Sequence, residues 1–241
     1  MYQSTRHLRF TQLPKAYLLT HPQKLALVPL VGTVYPYTQL HFAGLCQMYD
    51  ILADLRARKV QGAFVELGAG RGGCGAFVAK VSKDMNDTRP LWLLDSFEGL
   101  SEPTPADLQG MTKVREKVQK GYLRVAEQSV TEIVGKVAHS ELSRVHIVKG
   151  WFSDTVPANR AAIGAIAILR LDADLYEPTI FGLRELYDSV VEGGYVVIDD
   201  YKNWIGARRA LFEFFHERGI APYVQEYPAG GAAYFVKRTE A

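Results

Sequence analysis

The chain has 241 residues, 48% of them hydrophobic, which is enough for one main α/β domain with a substantial core. With 28 Lys and Arg against 26 Asp and Glu, the net charge is only +2, and no basic run or basic-aromatic stripe is present. That balance excludes a broad electrostatic attraction for nucleic acid, so no polynucleotide partner is expected.

At the N-terminus, "MYQSTRHLRFTQLPKAYLLT" carries basic residues but no continuous apolar region. No later segment approaches the uninterrupted apolar length that crosses a bilayer, so the expectation is a soluble, cytoplasmic protein with no membrane partner. Cys46 and Cys74 are the two cysteines and lack CxxC spacing, so they read as small core residues in a reducing compartment. From Thr38 to Arg58, Leu40, Leu45, Tyr49, Leu52 and Leu55 recur at roughly helical spacing, which predicts an amphipathic helix leading into the core. Residues 1–59 are therefore expected to form a helical extension or cap, and 60–241 the catalytic domain.

From Val60 onward, short apolar runs alternate with helical ones. "GAFVEL", "PLWLLD", "RVHIVK", "IGAIAILRLD" and "YVVIDD" read as strands, and five such runs predict a buried, mostly parallel sheet. A helix is expected from Ser129 to His139, with Ser129 and Glu132 as a capping box, and another from about Glu177 to Val191, stopped by Gly193 and Gly194. Phe97 to Gly110, "FEGLSEPTPADLQG", has the composition of a mobile loop and is a candidate lid. Near the C-terminus, "PYVQEY" and "AAYFVK" flank "PAGG" and predict an antiparallel hairpin. A doubly wound sheet that ends this way is characteristic of methyltransferases, whereas most dehydrogenase nucleotide-binding domains lack the hairpin.

"VELGAGRGG" follows the first predicted strand, and Gly68, Gly70 and Gly73 satisfy G-x-G-x-x-G at a strand-to-helix junction. Glycine there allows a sharp turn and close approach of a ligand. The motif alone fits a ligand-free turn, a dinucleotide site or an S-adenosylmethionine site. Asp95 closes the second strand, where a carboxylate can accept bonds from both ribose hydroxyls of either cofactor. Glu66, the terminal hairpin and an acidic cluster favour S-adenosylmethionine.

That cluster consists of Asp172 and Asp174 in "LRLDADLYEPT" and Asp199 and Asp200 in "GGYVVIDDY". Each pair ends an apolar strand. Four carboxylates gathered at neighbouring strand ends repel one another unless a cation joins them, and a hard divalent ion such as magnesium suits an all-oxygen donor set. Capping of the following helix is the alternative for each aspartate taken singly. In this topology the ligand crevice lies at the carboxyl ends of the strands, between the first and the fourth.

Taken together, "VELGAGRGG", "LLDSFEGL", "VKGWFSDTVP", "LRLDADLYEPT" and "GGYVVIDDY", spread over roughly residues 60–215, resemble the macrocin-type (TylF-like) O-methyltransferases, which methylate sugar hydroxyls in antibiotic biosynthesis. The resemblance implies a class I S-adenosylmethionine-dependent, Rossmann-like fold with a mostly parallel seven-stranded sheet. It also implies magnesium or another divalent cation, a homodimer or larger assembly, and a small-molecule hydroxyl substrate, a sugar or vicinal diol. By resemblance, Asp172, Asp199 and Asp200 hold the metal and Asp174 is the general base. Cofactor contacts are implied at Glu66, Gly68, Ala69, Gly70, Gly73, Asp95, Ser96, Phe97, Gly150, Trp151, Phe152, Ser153 and Asp172, with Phe152 and Ser153 nearest the adenine. The usual family loop resembles "ETGVWRGG" where this chain has "ELGAGRGG", and its first sixty residues match loosely.

The related catechol and caffeoyl-CoA methyltransferases carry a lysine where Leu175 stands, which argues against their mechanism. An NAD(P)-dependent oxidoreductase would leave the acidic cluster unexplained and lacks a suitably placed Tyr-x-x-x-Lys. A non-catalytic methyltransferase-like module would not need the metal and base positions intact. His139, His146 and His216 read as surface or core histidines, Arg208 and Arg209 as a solvated helix face, and Tyr201 and Trp204 as residues that could either line an acceptor pocket or pack.

Overall fold

The computed structural model describes residues 15–108, 119–227 and 231–238. Helices α1 (Lys15–Thr20), α2 (Val28–Val34) and α3 (Phe42–Ala57) lead into strand β1 (Ala63–Leu67), α4 (Gly73–Asp84) and β2 (Leu91–Asp95). Then come α5 (Pro105–Leu108), α6 (Gln128–Ala138), β3 (Val145–Lys149), α7 (Phe152–Ile163), β4 (Ile166–Leu171) and α8 (Tyr176–Leu186). The chain finishes with β5 (Val190–Ile198), α9 (Ile205–Arg218), β6 (Gln225–Glu226) and β7 (Ala233–Val236).

The seven strands form one sheet in the order β3-β2-β1-β4-β5-β7-β6, parallel from β3 to β5, with β7 antiparallel to both β5 and β6. This is the expected class I methyltransferase architecture. The chain reverses its winding between β1 and β4, which places the ligand crevice beyond their carboxyl ends. Strand side chains alternate between two cores. Phe64, Leu93, Ile168 and Val197 face α3, α4 and α6, while Val65, Leu94, Leu169 and Val196 face α7, α8 and α9. Val31, Val34, Leu45, Leu52 and Leu55 belong to the first core, so the helices before residue 60 pack directly on the sheet layer.

Three local expectations need correction. Helix α3 begins at Phe42 rather than Thr38, because a 3-10 turn over Tyr35–Tyr37 ends at an extended Thr38, whose hydroxyl accepts the Leu40 N–H. Ser129 is not the cap of a box with Glu132: α6 has already begun at Gln128, and the Ser129 hydroxyl donates to the carbonyls of Ala126 and Arg71. Helix α8 ends at Leu186 rather than Val191, and Gly193 and Gly194 lie inside β5. There the Gly193 N–H donates to Lys237 O and the Lys237 N–H to Gly194 O, and extra residues of β5 bulge out between the Ile166–Val190 and Ile168–Tyr195 pairs.

The candidate lid is described through Leu108 and includes α5, while Gln109 and Gly110 lie outside the described residues. Of the predicted "PAGG" turn, Pro228, Ala229 and Gly230 lie outside them as well. Among the described residues, no helix is long and apolar enough to cross a membrane.

Candidate functional site

At the carboxyl end of β1 the chain turns through Gly68 (φ +97°), Gly70 (φ +53°) and Gly72 (φ +85°) into α4. The two leading glycines serve different ends. A Cβ on Gly68 would lie 1.9 Å from the carbonyl oxygen of Asp172, so this position lets β1 and the loop after β4 close on each other. Among the described residues, a Cβ on Gly70 would meet nothing within 4 Å, because it points into open space. Asp95 braces the loop: its Oδ2 accepts the Gly70 N–H at 2.7 Å and its Oδ1 accepts the Phe97 N–H at 2.7 Å. Each oxygen keeps a lone pair for a ligand. Burial pushes the Asp95 carboxyl upward, and the two backbone N–H groups oppose that push.

The open space is a cleft of about 1190 Å³ across the strand ends. Glu66, Gly68, Ala69, Gly70, Asp95, Ser96, Trp151, Phe152, Ser153, Asp172, Asp174, Asp199 and Asp200 all line it. Gly73, Phe97 and Gly150 do not. Gly73 sits against the Tyr37 carbonyl, Phe97 is 4% exposed in the first core, and Gly150 is the positive-φ turn before α7. The far wall comes from the segment before α3, including Tyr37, Thr38 and His41, and from Phe181 and Trp204. Trp204 is an expected lining candidate, whereas periodicity has no means of bringing Tyr37, Thr38 and His41 together with Phe181, more than a hundred positions away.

One oxygen from each of Asp172, Asp199 and Asp200 falls within 4.8 Å of the others. The donors are all hard carboxylate oxygens, a set that fits magnesium, calcium or manganese rather than zinc or copper. Backbone ladders hold them: the Asp172 N–H donates to Leu67 O and the Asp199 N–H to Leu171 O, continuing the sheet register past the strand ends. Asp174 stands beside them in the left-handed region (φ +59°), and its N–H donates to Asp200 Oδ2 at 3.1 Å. Burial, then the charges of Asp172 and Asp199, raise the Asp174 carboxyl well above the usual carboxylate range. Burial likewise raises Asp200, reinforced by Asp174, and lifts Asp199 to about 7 against the pull of Arg170.

Arg170 is the residue the sequence reading overlooked. Its side chain is 1% exposed, one residue before the carboxyl end of β4 and directly in register with Glu66 on β1. Nη1 donates to Glu66 Oε1 at 2.7 Å and to Asp172 Oδ2 at 2.8 Å. Nη2 lies 2.7 Å from Asp199 Oδ1 as an ion pair, without the alignment of a hydrogen bond. The acidic cluster thus carries an internal cation, and mutual repulsion alone does not demand a metal. Seven carboxylates still line this cleft, from Glu66, Asp95, Asp172, Asp174, Glu177, Asp199 and Asp200, against the guanidinium groups of Arg71 and Arg124 and the buried one of Arg170. Burial would lower the Arg170 pKa, but Asp172, Asp199, Cys74 and Glu66 outweigh it, so the guanidinium stays charged. A lone arginine in the apolar run "AIAILRL" was the available signal.

Leu175 is buried with Leu100 and flanked by Trp204 and Tyr122, so an apolar contact occupies the position where the phenolic enzymes have a lysine. Trp204 therefore both lines the cleft and packs, and Tyr201 packs in the second core.

Comparison with known proteins agrees with this geometry. The family described as Macrocin-O-methyltransferase (TylF) matches residues 32–235. The 8-demethyl-8-(2,3-dimethoxy-alpha-L-rhamnosyl)-tetracenomycin-C 4'-O-methyltransferase of Streptomyces olivaceus is 33% identical over 208 residues, 84% of this chain and 77% of that protein. The demethyldecarbamoylnovobiocin O-methyltransferase of Streptomyces niveus is 31% identical over 189 residues, 75% of this chain and 71% of that protein. The solved structure of the O-methyltransferase NovP superposes with a TM-score of 0.72 at 28% identity, covering 84% of this chain and 83% of that one.

Proposed function

Because the chain belongs to the macrocin-O-methyltransferase (TylF) family and is an O-methyltransferase, we propose that it moves the methyl group of S-adenosylmethionine to a hydroxyl of a sugar or vicinal diol on a natural product, with help from a divalent cation, most simply magnesium. The observation that carries this reading is that the glycine loop with Asp95, the Asp172–Asp199–Asp200 trio and Asp174 all open onto one cleft. The Streptomyces olivaceus relative named above acts on a rhamnosyl tetracenomycin, which supports the substrate class.

Asp95 would take the ribose hydroxyls, Gly68 to Gly70 the amino-acid side of the donor, and Trp151 to Ser153 its adenine. Gly70 fits this role because, among the described residues, no side chain fills the space before it. Asp172, Asp199 and Asp200 would hold the cation, which would acidify and orient a hydroxyl of the acceptor. Methyl transfer from a sulfonium is an in-line displacement, so the walls of the cleft must align oxygen, carbon and sulfur and keep water out. Asp174 takes the hydroxyl proton, since its carboxylate opens onto the same cleft beside the Asp172–Asp199–Asp200 trio. Buried Leu175 leaves no lysine at the place that the phenolic enzymes use, which favours sugars over catechols. Family membership removes the oxidoreductase reading.

In the same reading, residues 1–59 are a cap on the catalytic domain 60–241, since Tyr37, Thr38 and His41 help wall the cleft, and the enzyme works in the cytoplasm as a homodimer or larger assembly. Incubation with methyl-labelled S-adenosylmethionine and a panel of glycosides bearing vicinal hydroxyls, with magnesium or with a chelator, tests the proposal. Label should pass to a glycoside only when the cation is present. Equal transfer in chelator would remove the metal, and transfer to catechols alone would remove the sugar.

A further inference from the structure

A second carboxylate reaches the reacting loop from outside the cleft. Asp107, in α5, is 1% exposed, yet it belongs to none of the acid pairs. Its Oδ1 accepts the Tyr176 N–H at 2.7 Å, and its Oδ2 accepts the Thr104 N–H at 2.8 Å and the Thr104 hydroxyl at 2.9 Å. Tyr176 is the first residue of α8. The residue at that helix's own cap position is Leu175, which has no side chain able to accept a hydrogen bond, so Asp107 caps α8 from 69 residues away. Helix α9 closes on the same carboxylate. A Cβ on Gly206 would lie 1.9 Å from Asp107 Oδ1 and 2.8 Å from Tyr176 N, and Arg209 Nη1 donates to Ala106 O at 2.6 Å.

Both acid-bearing loops end at this junction. Helix α8 starts two residues after Asp174, and α9 starts five residues after Asp200. Asp174 holds a left-handed backbone that an aspartate adopts at some cost, and within the loop its N–H is tied only to Asp200. The apolar contact of Leu175 with Leu100 runs parallel to the Asp107 bonds and joins the same two segments. We infer that Asp107 is a positioning residue: by bolting the start of α8 to α5 and α9, it keeps Asp174 aimed at the acceptor hydroxyl. The role assigned to Asp174 rests on the function proposed above; the fastening itself does not.

Two kinds of variant separate the fastening from general stability. Asp107→Asn keeps size and shape but turns an NH2 group toward donors that need an acceptor. Tyr176→Pro removes the N–H that Asp107 accepts together with the ring, and its Cδ takes the place of that hydrogen and displaces the carboxylate; proline suits the first helical position, and Leu175 (φ −97°, ψ 161°) already has the extended backbone that precedes proline. Tyr176→Ala controls for the lost ring. Amide exchange of the 172–177 segment is read by mass spectrometry, together with kcat, KM, and affinities for S-adenosylmethionine and magnesium.

Asp107→Asn and Tyr176→Pro should each speed exchange of the segment and lower kcat by about tenfold to a hundredfold, as expected when a reacting group shifts by an ångström or less. Both affinities should stay within about threefold of the parent protein, and Tyr176→Ala should behave like the parent. The inference is overturned if exchange and kcat are unchanged in Asp107→Asn, if Tyr176→Pro matches Tyr176→Ala, or if cofactor and metal affinity fall as far as kcat. Should Asp107→Asn fail to fold, the Tyr176 pair decides. Should the parent protein methylate no glycoside, the proposed function fails, while the exchange data still decide the fastening.

Discussion

Removing the buried guanidinium with Arg170→Met should expose how the site balances its charges. The side chain it replaces is 1% exposed and bridges Glu66, Asp172 and Asp199 at 2.7, 2.8 and 2.7 Å. At an effective dielectric constant of about 20, each such contact corresponds to roughly 6 kcal/mol of attraction, most of it offset by the desolvation of the charges. Breaking a buried pair from one side costs about 3–5 kcal/mol. The three partners do not share that cost equally. Asp172 and Asp199 are 31% and 20% exposed and can turn to water, whereas Glu66 is 1% exposed and cannot.

Glu66 should therefore dominate the loss. Its carboxyl is already pushed up to about 7 by burial, against the pull of Arg170, and without the arginine it rises further. A carboxyl whose folded pKa lies above its unfolded value gives its full contribution below about pH 4 and loses it as the pH rises through the folded value. Urea unfolding without divalent cations should thus show Arg170→Met destabilised by about 3–5 kcal/mol near pH 8 and less near pH 6. Adding Glu66→Gln in the same chain should recover roughly half of the loss. A loss below about 1 kcal/mol, or one independent of pH and unrelieved by Glu66→Gln, would refute the reasoning.

Three further outcomes follow from the same geometry. Asp174→Asn should bind S-adenosylmethionine and magnesium like the parent yet lose about a hundredfold or more in kcat; full activity would sink the base assignment. Gly68→Ala should fail to fold or lose well over about 2 kcal/mol, because its Cβ meets Asp172 O at 1.9 Å; Gly70→Ala should stay folded and lose cofactor affinity by calorimetry, and equal thermal stability of the two would contradict this. Cys46 is fully buried and Cys74 4% exposed, and burial pushes their thiols up, Cys46 to about 12. Neither should react with an aromatic disulfide reagent near pH 8 until denaturant is added, and fast labelling of the folded protein would contradict that burial. The Cys46 contribution to stability is complete below about pH 8.5 and declines as the pH rises toward its folded value.

What could be read from the sequence was local. The glycine loop, the acids that close β2, β4 and β5, and the apolar runs of the strands each declare themselves within about ten residues, and a mostly parallel sheet follows from their alternation with helices. The parts that escaped depend on register and distance. Arg170 meets Glu66 because β1 and β4 pair at that position, 104 residues apart. Asp107 reads as a polar loop residue until α8, lacking a cap of its own, is brought to it. Gly193 and Gly194 look like a helix stop, and only the pairing of β5 with β4 reveals a strand bulge. The wall formed by Tyr37, Thr38 and His41 likewise exists only once α3 is packed on α4.

Calorimetric titration of the metal-stripped protein with S-adenosylmethionine, NAD and magnesium, repeated on Asp199→Ala, tests the central claim most directly. The account predicts micromolar binding of S-adenosylmethionine, no heat from NAD, and a magnesium site that Asp199→Ala weakens while donor binding is kept. Absence of donor binding, or magnesium binding indifferent to Asp199→Ala, would contradict it.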